Sequence, residues 1–198
     1  MTSRRPLLSA KVVAEFRRRA ITDALAELCV EQGYRASTIT DIVTRARTSR
    51  HTFYEHFDNG EQIFLALLDR GIEELLARTR VACQAAEPPQ RVEAGLGAVL
   101  AWVAEEPAPA YACFVEATCA TPESFRRYLE AITEFATLLR GSVPTEVVRP
   151  ASTEESLIGG IASILRYLIH DGEAQRAPEL LPELTNFLRL PFIATGPR

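Results

Sequence analysis

The sequence predicts an all-α fold: a short N-terminal head of three helices holding a helix-turn-helix, joined to a larger C-terminal helical body, about nine helices in all. Three observations predict it. Apolar residues recur at steps of three and four along most of the 198 residues. No alternating apolar/polar run exceeds four residues, so no strand is expected. Caps, prolines and glycines stand where helices of ordinary length would start and stop.

Each element follows from its own residues. Val13, Phe16, Ala20, Ala24 and Leu28, joined by Ile21 and Leu25, mark a long amphipathic helix over about 10–32, which Gly33 stops. Thr38, three residues before Asp41, reads as an N-cap whose partner carboxylate suits the positive end of a short helix reaching about Ala46. Ser49 caps a third helix, Arg50 to His56, whose Phe53 and the following Phe57 face inward. Ile63, Leu67, Leu68, Ile72, Leu75 and Leu76 carry a long helix over about 61–85, ended before Pro88-Pro89. A fifth runs from about 90 to 105, broken by Pro107 and Pro109, and a shorter apolar segment spans Ala110 to Ala120. Thr121-Pro122-Glu123 opens the next, which ends at Gly141. A loop with two prolines follows, then a helix from a Ser152/Glu155 capping box to about His170, and a last one from Pro178 to near Pro191.

Composition bounds the function. With 47% hydrophobic and 24% charged residues the chain is of ordinary globular type, which argues against collagen-like, disordered and disulfide-scaffold classes. Its length fits one large domain or a small one plus a larger, here residues 1–60 and 61–198. Four cysteines without paired short spacing (Cys29, Cys83, Cys113, Cys119) point to a reducing compartment, and the cytoplasm is the expected location. No apolar run reaches the roughly 18 residues of a membrane span, so no membrane partner is expected. A net charge of −4 would by itself argue against DNA. Its distribution reverses that argument. Residues 1–60 hold ten basic and seven acidic side chains, a surplus of +3, whereas residues 61–198 carry −7.

The basic part holds the chemistry. Two short helices joined by a tight turn have the spacing of a helix-turn-helix, and the second begins Ser49-Arg50-His51-Thr52. Arg50 can bond guanine through two N–H groups, Thr52 can meet a thymine methyl or a phosphate, and Tyr54 and His56 suit phosphate oxygens. Arg17-Arg18-Arg19 spreads over most of a helix turn and reads as a solvated face. His51 and His56, five apart, do not share a face for a metal, and His170 is distant. Cys113 and Cys119 read as core thiols. With no phosphate-binding glycine loop, nucleophile elbow or metal-ligand set, neither enzyme activity nor any cofactor or metal is expected.

These residues carry a resemblance to the tetracycline-repressor (TetR) family of bacterial transcription regulators. The matching blocks are Ala24-Leu25-Ala26-Glu27-Leu28, Glu31-Gln32-Gly33-Tyr34, Ser37-Thr38-Ile39-Thr40-Asp41-Ile42 and, above all, Ser49-Arg50-His51-Thr52-Phe53-Tyr54-Glu55-His56-Phe57. The resemblance covers about residues 12–68 and implies a DNA-facing set of Thr38, Arg47, Thr48, Ser49, Arg50, His51, Thr52, Tyr54 and His56. Two positions depart from it. Arg47 stands where the family usually has a glycine in left-handed conformation, which implies strain or a reshaped turn. Gly60 stands where the family tends to have a phosphate-binding lysine, a contact that Arg47 or the Arg4-Arg5 arm would replace.

The body supplies the remaining expectations. From Leu157 to Ile169 the apolar residues cover more than one stripe, so one face packs inward and another seeks a partner. In the family the last two helices form a four-helix bundle with a second copy, which implies a dimer interface of Leu157, Ile161, Leu165, Leu168, Leu184, Phe187 and Leu188. Aromatics mixed with a few polar groups nominate Trp102, Tyr111, Phe114, Tyr128, Phe135, Arg166, Tyr167 and His170 for an effector pocket, and their character favours a hydrophobic or aromatic effector. The expected protein is a homodimeric repressor, with a double-stranded DNA operator, a second copy of itself and a small-molecule effector as partners. The alternative is a ligand-sequestering or protein-interaction module of the same fold without specific DNA binding.

Overall fold

The structure is a computed structural model that describes residues 10–143 and 150–192. Among the described residues there are nine α-helices and no strand, in an all-α fold of the expected class. The Arg4-Arg5 arm and part of the loop after Gly141 lie outside the described residues.

The head is built from α1 (Ala10–Gln32), α2 (Ile39–Arg45) and α3 (Arg50–His56). Ile21, Ala24, Leu25, Leu28 and Cys29 bury one stripe of α1. Phe16, expected in that stripe, is 74% exposed, although Val13 and Ala14 before it are half-buried. Gly33 ends α1 at φ +83°, and a single 3-10 turn, Tyr34–Ala36, leads into α2. The capping box at α2 forms as its spacing predicts: the Asp41 N–H donates to Thr38 Oγ1 over 3.2 Å, and the Thr38 N–H donates to Asp41 Oδ2 over 2.9 Å. At α3 the Ser49 hydroxyl accepts from the Thr52 N–H at 3.0 Å.

The turn between α2 and α3 keeps its left-handed step despite the side chain. Arg47 has φ +50°, the only non-glycine residue described with a positive φ. Its N–H donates to Thr44 O at 3.2 Å and the Thr48 N–H to Val43 O at 2.9 Å, the paired bonds of a Schellman motif with Arg47 at C′. The turn is therefore strained rather than reshaped.

The body contains α4 (Gly60–Ala85), α5 (Arg91–Glu105), α6 (Pro107–Phe114), α7 (Pro122–Arg140), α8 (Thr153–His170) and α9 (Leu181–Arg189). Asn59 caps α4, with its side chain accepting from the Gln62 N–H, so Gly60 sits in an ordinary first helical turn. Pro107 does not merely break α5: it opens α6, because a first-turn proline lacks only an N–H that would have no partner there. Ser152 forms no side-chain cap at α8. Its backbone (φ −89°, ψ 6°) is not extended as a capping residue requires, and Glu155 reaches Arg140 at 3.4 Å instead. Pro178 falls inside a 3-10 stretch, Ala174–Leu180, and it is Pro182 that stands in the first turn of α9.

One hydrophobic cluster runs through head and body, so residue 60 is not a break in packing. Ile63, Phe64 and Leu67 of α4 are buried beside head residues, whereas Leu75 and Leu76 are buried in the body. The Tyr34 ring rests on Phe64, centroids 4.5 Å apart. Gly71 lets α4 approach α6, since a Cβ there would lie 2.7 Å from Cys113 Sγ. No helix among the described residues is long and apolar enough to cross a membrane.

Candidate nucleic-acid interface and ligand cavity

The inner face of α3 is fixed by Phe53, which is buried, and by Phe57 just beyond it, with ring centroids 5.9 Å apart. A seven-residue helix is marginal by itself, so this burial is what holds it. Its outer face is left to solvent. His51 has an 88% exposed side chain, with Nε2 3.5 Å from Glu55 Oε1. Tyr54 is exposed, with its ring edge-on to Phe53 at 5.4 Å. Thr52 is half-buried and shares a 3.0 Å hydrogen bond with Ser49.

Arg50 lies across to α2, where its Nη2 donates to Thr40 Oγ1 at 2.6 Å. That bond ties the starts of the two short helices together and aims the guanidinium along the exposed side. Thr38 is exposed, but its hydroxyl donates to Asp41 within the cap. Thr48 is half-buried beside the strained turn, and Arg47 is exposed. Among the described residues neither Arg47 nor Arg50 forms an ion pair, whereas Arg45 is held by Glu31 and Glu27 at 2.5 and 3.0 Å. That pairing holds the Glu31 carboxyl below its usual range. The unpaired cations are thus beside α3, not behind α2. His56 is half-buried, and its carbonyl accepts from Arg18 Nη1 at 3.2 Å.

Arg18 also stacks on the Phe57 ring, 4.3 Å from its centroid. It pins α1 to the end of α3, a role that the triple-arginine run gives no reason to single out. Glu116 is a second residue the sequence conceals. It follows α6 and is buried, and its Oε1 accepts from the Tyr34 N–H at 3.0 Å, joining the body to the end of α1. Beside it Arg35 Nη2 donates to Cys119 O at 3.0 Å. On the other side of the head, Arg70 of α4 pairs with Asp23 and donates to Thr22 Oγ1, and Arg127 of α7 pairs with Asp69 of α4.

Inside the body is an almost wholly apolar cavity of about 110 Å³, walled by α4, α5, α6, α7, α8 and α9. Phe114, Tyr128 and Phe135 line it, as do Leu75, Leu96 and Ile161. The other five residues nominated from sequence are not in its wall. Trp102 is fully buried, close to Gly71. Tyr111 is half-buried, and burial raises its phenol above the ordinary value. Arg166 is half-buried, Tyr167 is 67% exposed and His170 is exposed. The buried Cys113 thiol beside the cavity is pushed up to about 12 by desolvation, which makes it inert. Among the described residues no group of three His, Cys, Asp or Glu side chains is placed to hold a metal.

The nominated interface divides in the same way. Leu157, Ile161, Leu165, Leu184 and Leu188 face the chain's own core, and Ile161, Leu165 and Leu188 line the cavity. Leu168 is half-buried and Phe187 is 36% exposed. The apolar residues that remain outside on these two helices are Ile164, Tyr167 and Phe187. Phe187 lies over Gly160, where a Cβ would be 3.5 Å from its ring.

Residues 21–67 match the family model described as bacterial regulatory proteins, tetR family. The chain is 33% identical over 66 residues to the HTH-type transcriptional activator FasR of Mycolicibacterium smegmatis, which is 33% of this chain and 30% of that protein. It thus spans under a third of the length of that curated relative. Its fold is similar to that of the fatty acid degradation regulator FadR from Bacillus halodurans, with a TM-score of 0.77 at 14% identity over all of both chains. It is also similar to the transcriptional regulator FadR from Bacillus subtilis in complex with stearoyl-CoA, with a TM-score of 0.73 at 17% identity over 90% of this chain and 99% of that one. At such identities the two structures speak to the fold alone.

Proposed function

From the premise that this chain is a TetR-family protein by its head, residues 21–67, and by its fold, we propose that it is a ligand-responsive, sequence-specific DNA-binding regulator acting as a homodimer. The observation that carries the reading is α3: its inner face is anchored by Phe53, while Arg50, His51 and Tyr54 are exposed on the outside next to Arg47, which forms no ion pair among the described residues. Such a helix enters a major groove with its first residues against base edges. Arg50 reads a base, while Arg47, Tyr54 and the Ser49-Thr52 pair position the head on phosphates.

The second copy docks on the outer face of α8 and α9, through Ile164, Tyr167 and Phe187, the last seated on its own chain's Gly160. Two heads then meet successive major grooves when they stand about 34 Å apart or a multiple of it. The effector enters the apolar cavity. At about 110 Å³ the cavity is smaller than ordinary ligand sites, so a ligand must part its walls. The 26 residues of α4 are both wall and link: Leu75, Thr79 and Cys83 line the cavity, and Ile63, Phe64 and Leu67 lie in the head core. Any shift also reaches the head through the Glu116 bond to Tyr34. Release from DNA then equals the ligand's differential affinity for the two head spacings. Occupancy represses where the operator overlaps a promoter.

A sequestering module without DNA binding is the less favoured reading, since Arg47 and Gly60, which motivate it, leave the turn and the start of α4 regular in hydrogen bonding. Arg50→Ala separates the two. As a base reader it costs about 1–3 kcal/mol of binding and relaxes preference at one position, measured by competition among operator variants. Unchanged preference in that variant would remove Arg50 from the reading face.

A further inference from the structure

The cavity has a direction. On α4 its wall runs from Ile72 to Cys83, about 17 Å by helix rise. The α5 helix lies antiparallel to α4, because Gly95 abuts Cys83 and Thr79 while Gly71 abuts Trp102. The α7 helix runs parallel, since Arg127 pairs with Asp69 and Arg80 with Glu134 at 3.2 Å. The cleft is therefore long and narrow, with Ile72, Val99 and Tyr128 toward one end and Cys83, Arg91 and Ser142 toward the other.

The two ends differ in chemistry. From Thr79 to the Arg91 end the wall's hydroxyls and thiol are already bonded to backbone: Thr79 Oγ1 to Leu75 O and Ser142 Oγ to Leu138 O, each at 2.8 Å, and Cys83 Sγ to Arg91 O at 3.5 Å, while the Tyr128 hydroxyl and the Cys113 thiol lie toward the other end. Arg91 is the exception. Its Nε is buried with no hydrogen-bond partner, and its guanidinium forms no ion pair among the described residues. Leaving such a donor unmet is unfavourable unless something outside the chain meets it. Arg91, Val92 and Ser142 are also shared with an adjoining mouth of about 460 Å³. A second cation, Arg189, stands in that mouth, with Nη2 2.8 Å from Pro89 O and 3.6 Å from Glu93 Oε2.

We propose that cavity and mouth form one site for a single-chain amphiphile, an apolar chain ending in an anionic group, with Arg91 binding the anionic end. The inference rests on the cavity being the effector site, as proposed above. An apolar tail fills the cleft between α4 and α7, and the head stays at the Arg91 end, where Arg189 adds positive charge. Free fatty acids and acyl thioesters of a phosphorylated carrier share this chemistry.

Calorimetric titration of the full chain with dodecanoate, dodecanoyl-CoA and dodecanol at one pH near neutrality tests it. Dodecanoate or the thioester should bind at least about tenfold tighter than dodecanol, the margin a charge-assisted hydrogen bond supplies. Whichever of the two binds tighter identifies the source. In Arg91→Gln the margin should fall below about threefold, with dodecanol affinity unchanged. Dodecanol binding as tightly as both anions in the unmodified protein overturns the anchor and leaves the effector cavity standing, and that comparison needs no variant to fold. A margin retained in Arg91→Gln also overturns the anchor. Failure of all three to bind overturns the effector reading with it.

Discussion

Arg47 ties backbone strain to DNA affinity, and two substitutions separate them. A non-glycine residue in the left-handed region costs roughly 1–2 kcal/mol, and Arg47 is held there by the two Schellman hydrogen bonds. Arg47→Gly removes that strain but adds unfolded-state freedom worth about 0.4–1 kcal/mol, which leaves a net gain of about 0.5–1 kcal/mol. For a chain of this length that is a rise in Tm of about 1–4 °C. Arg47→Ala keeps the positive φ and should give no such gain. On DNA the two variants should behave alike, because both lose the guanidinium: the slope of log affinity against log salt should fall by about 0.9 for each head, with affinity lowered for all sequences equally. Thermal melts and anisotropy titrations at three or more salt concentrations read both effects. Equal Tm values for the two variants would refute the strain account, and an unchanged salt slope would refute the phosphate contact.

Two further outcomes follow from the body. Ile164→Glu, which places a charge on the outer face of α8 at a side chain already 41% exposed, should yield a folded monomer in sedimentation, and an intact dimer would move the interface elsewhere. Glu116→Ala leaves the Tyr34 N–H without its acceptor and should cost about 1–3 kcal/mol of stability, whereas Glu116→Gln keeps an acceptor and should cost less than half as much. Equal losses would mean that charge, not the hydrogen bond, holds the head to the body.

Much of this structure is legible in the sequence where local rules decide it. Thr38 and Asp41, Ser49, and Thr121-Pro122 start α2, α3 and α7 because a cap needs only a short oxygen at the right offset. Local rules fail where tertiary packing chooses between equals. Both stripes of α8 are apolar, and periodicity cannot tell that Leu157, Ile161 and Leu165 turn inward while Ile164 and Tyr167 stay outside. Pro178 and Pro182 are equally good first-turn residues, and the 3-10 stretch absorbs the first of them. Aromatic content led to Trp102 and Tyr111, but the cavity wall is mainly aliphatic, and its polar end is set by Arg91, which follows Pro88-Pro89-Gln90 with no periodic or motif signal. Arg18 and Glu116 act across 38 and 82 residues of sequence, separations that no local window spans.

The central claim is that one chain couples a sequence-reading head to an effector cavity. Its most direct test is to select genomic DNA with the purified protein, then titrate the selected fragment by anisotropy with and without dodecanoate. The account predicts enrichment of a two-fold-symmetric site with half-sites about one helical turn or a multiple apart, bound more weakly as salt rises and released by the ligand. Enrichment of no sequence, or a selected site whose affinity ignores a ligand that calorimetry has shown to bind, would contradict it.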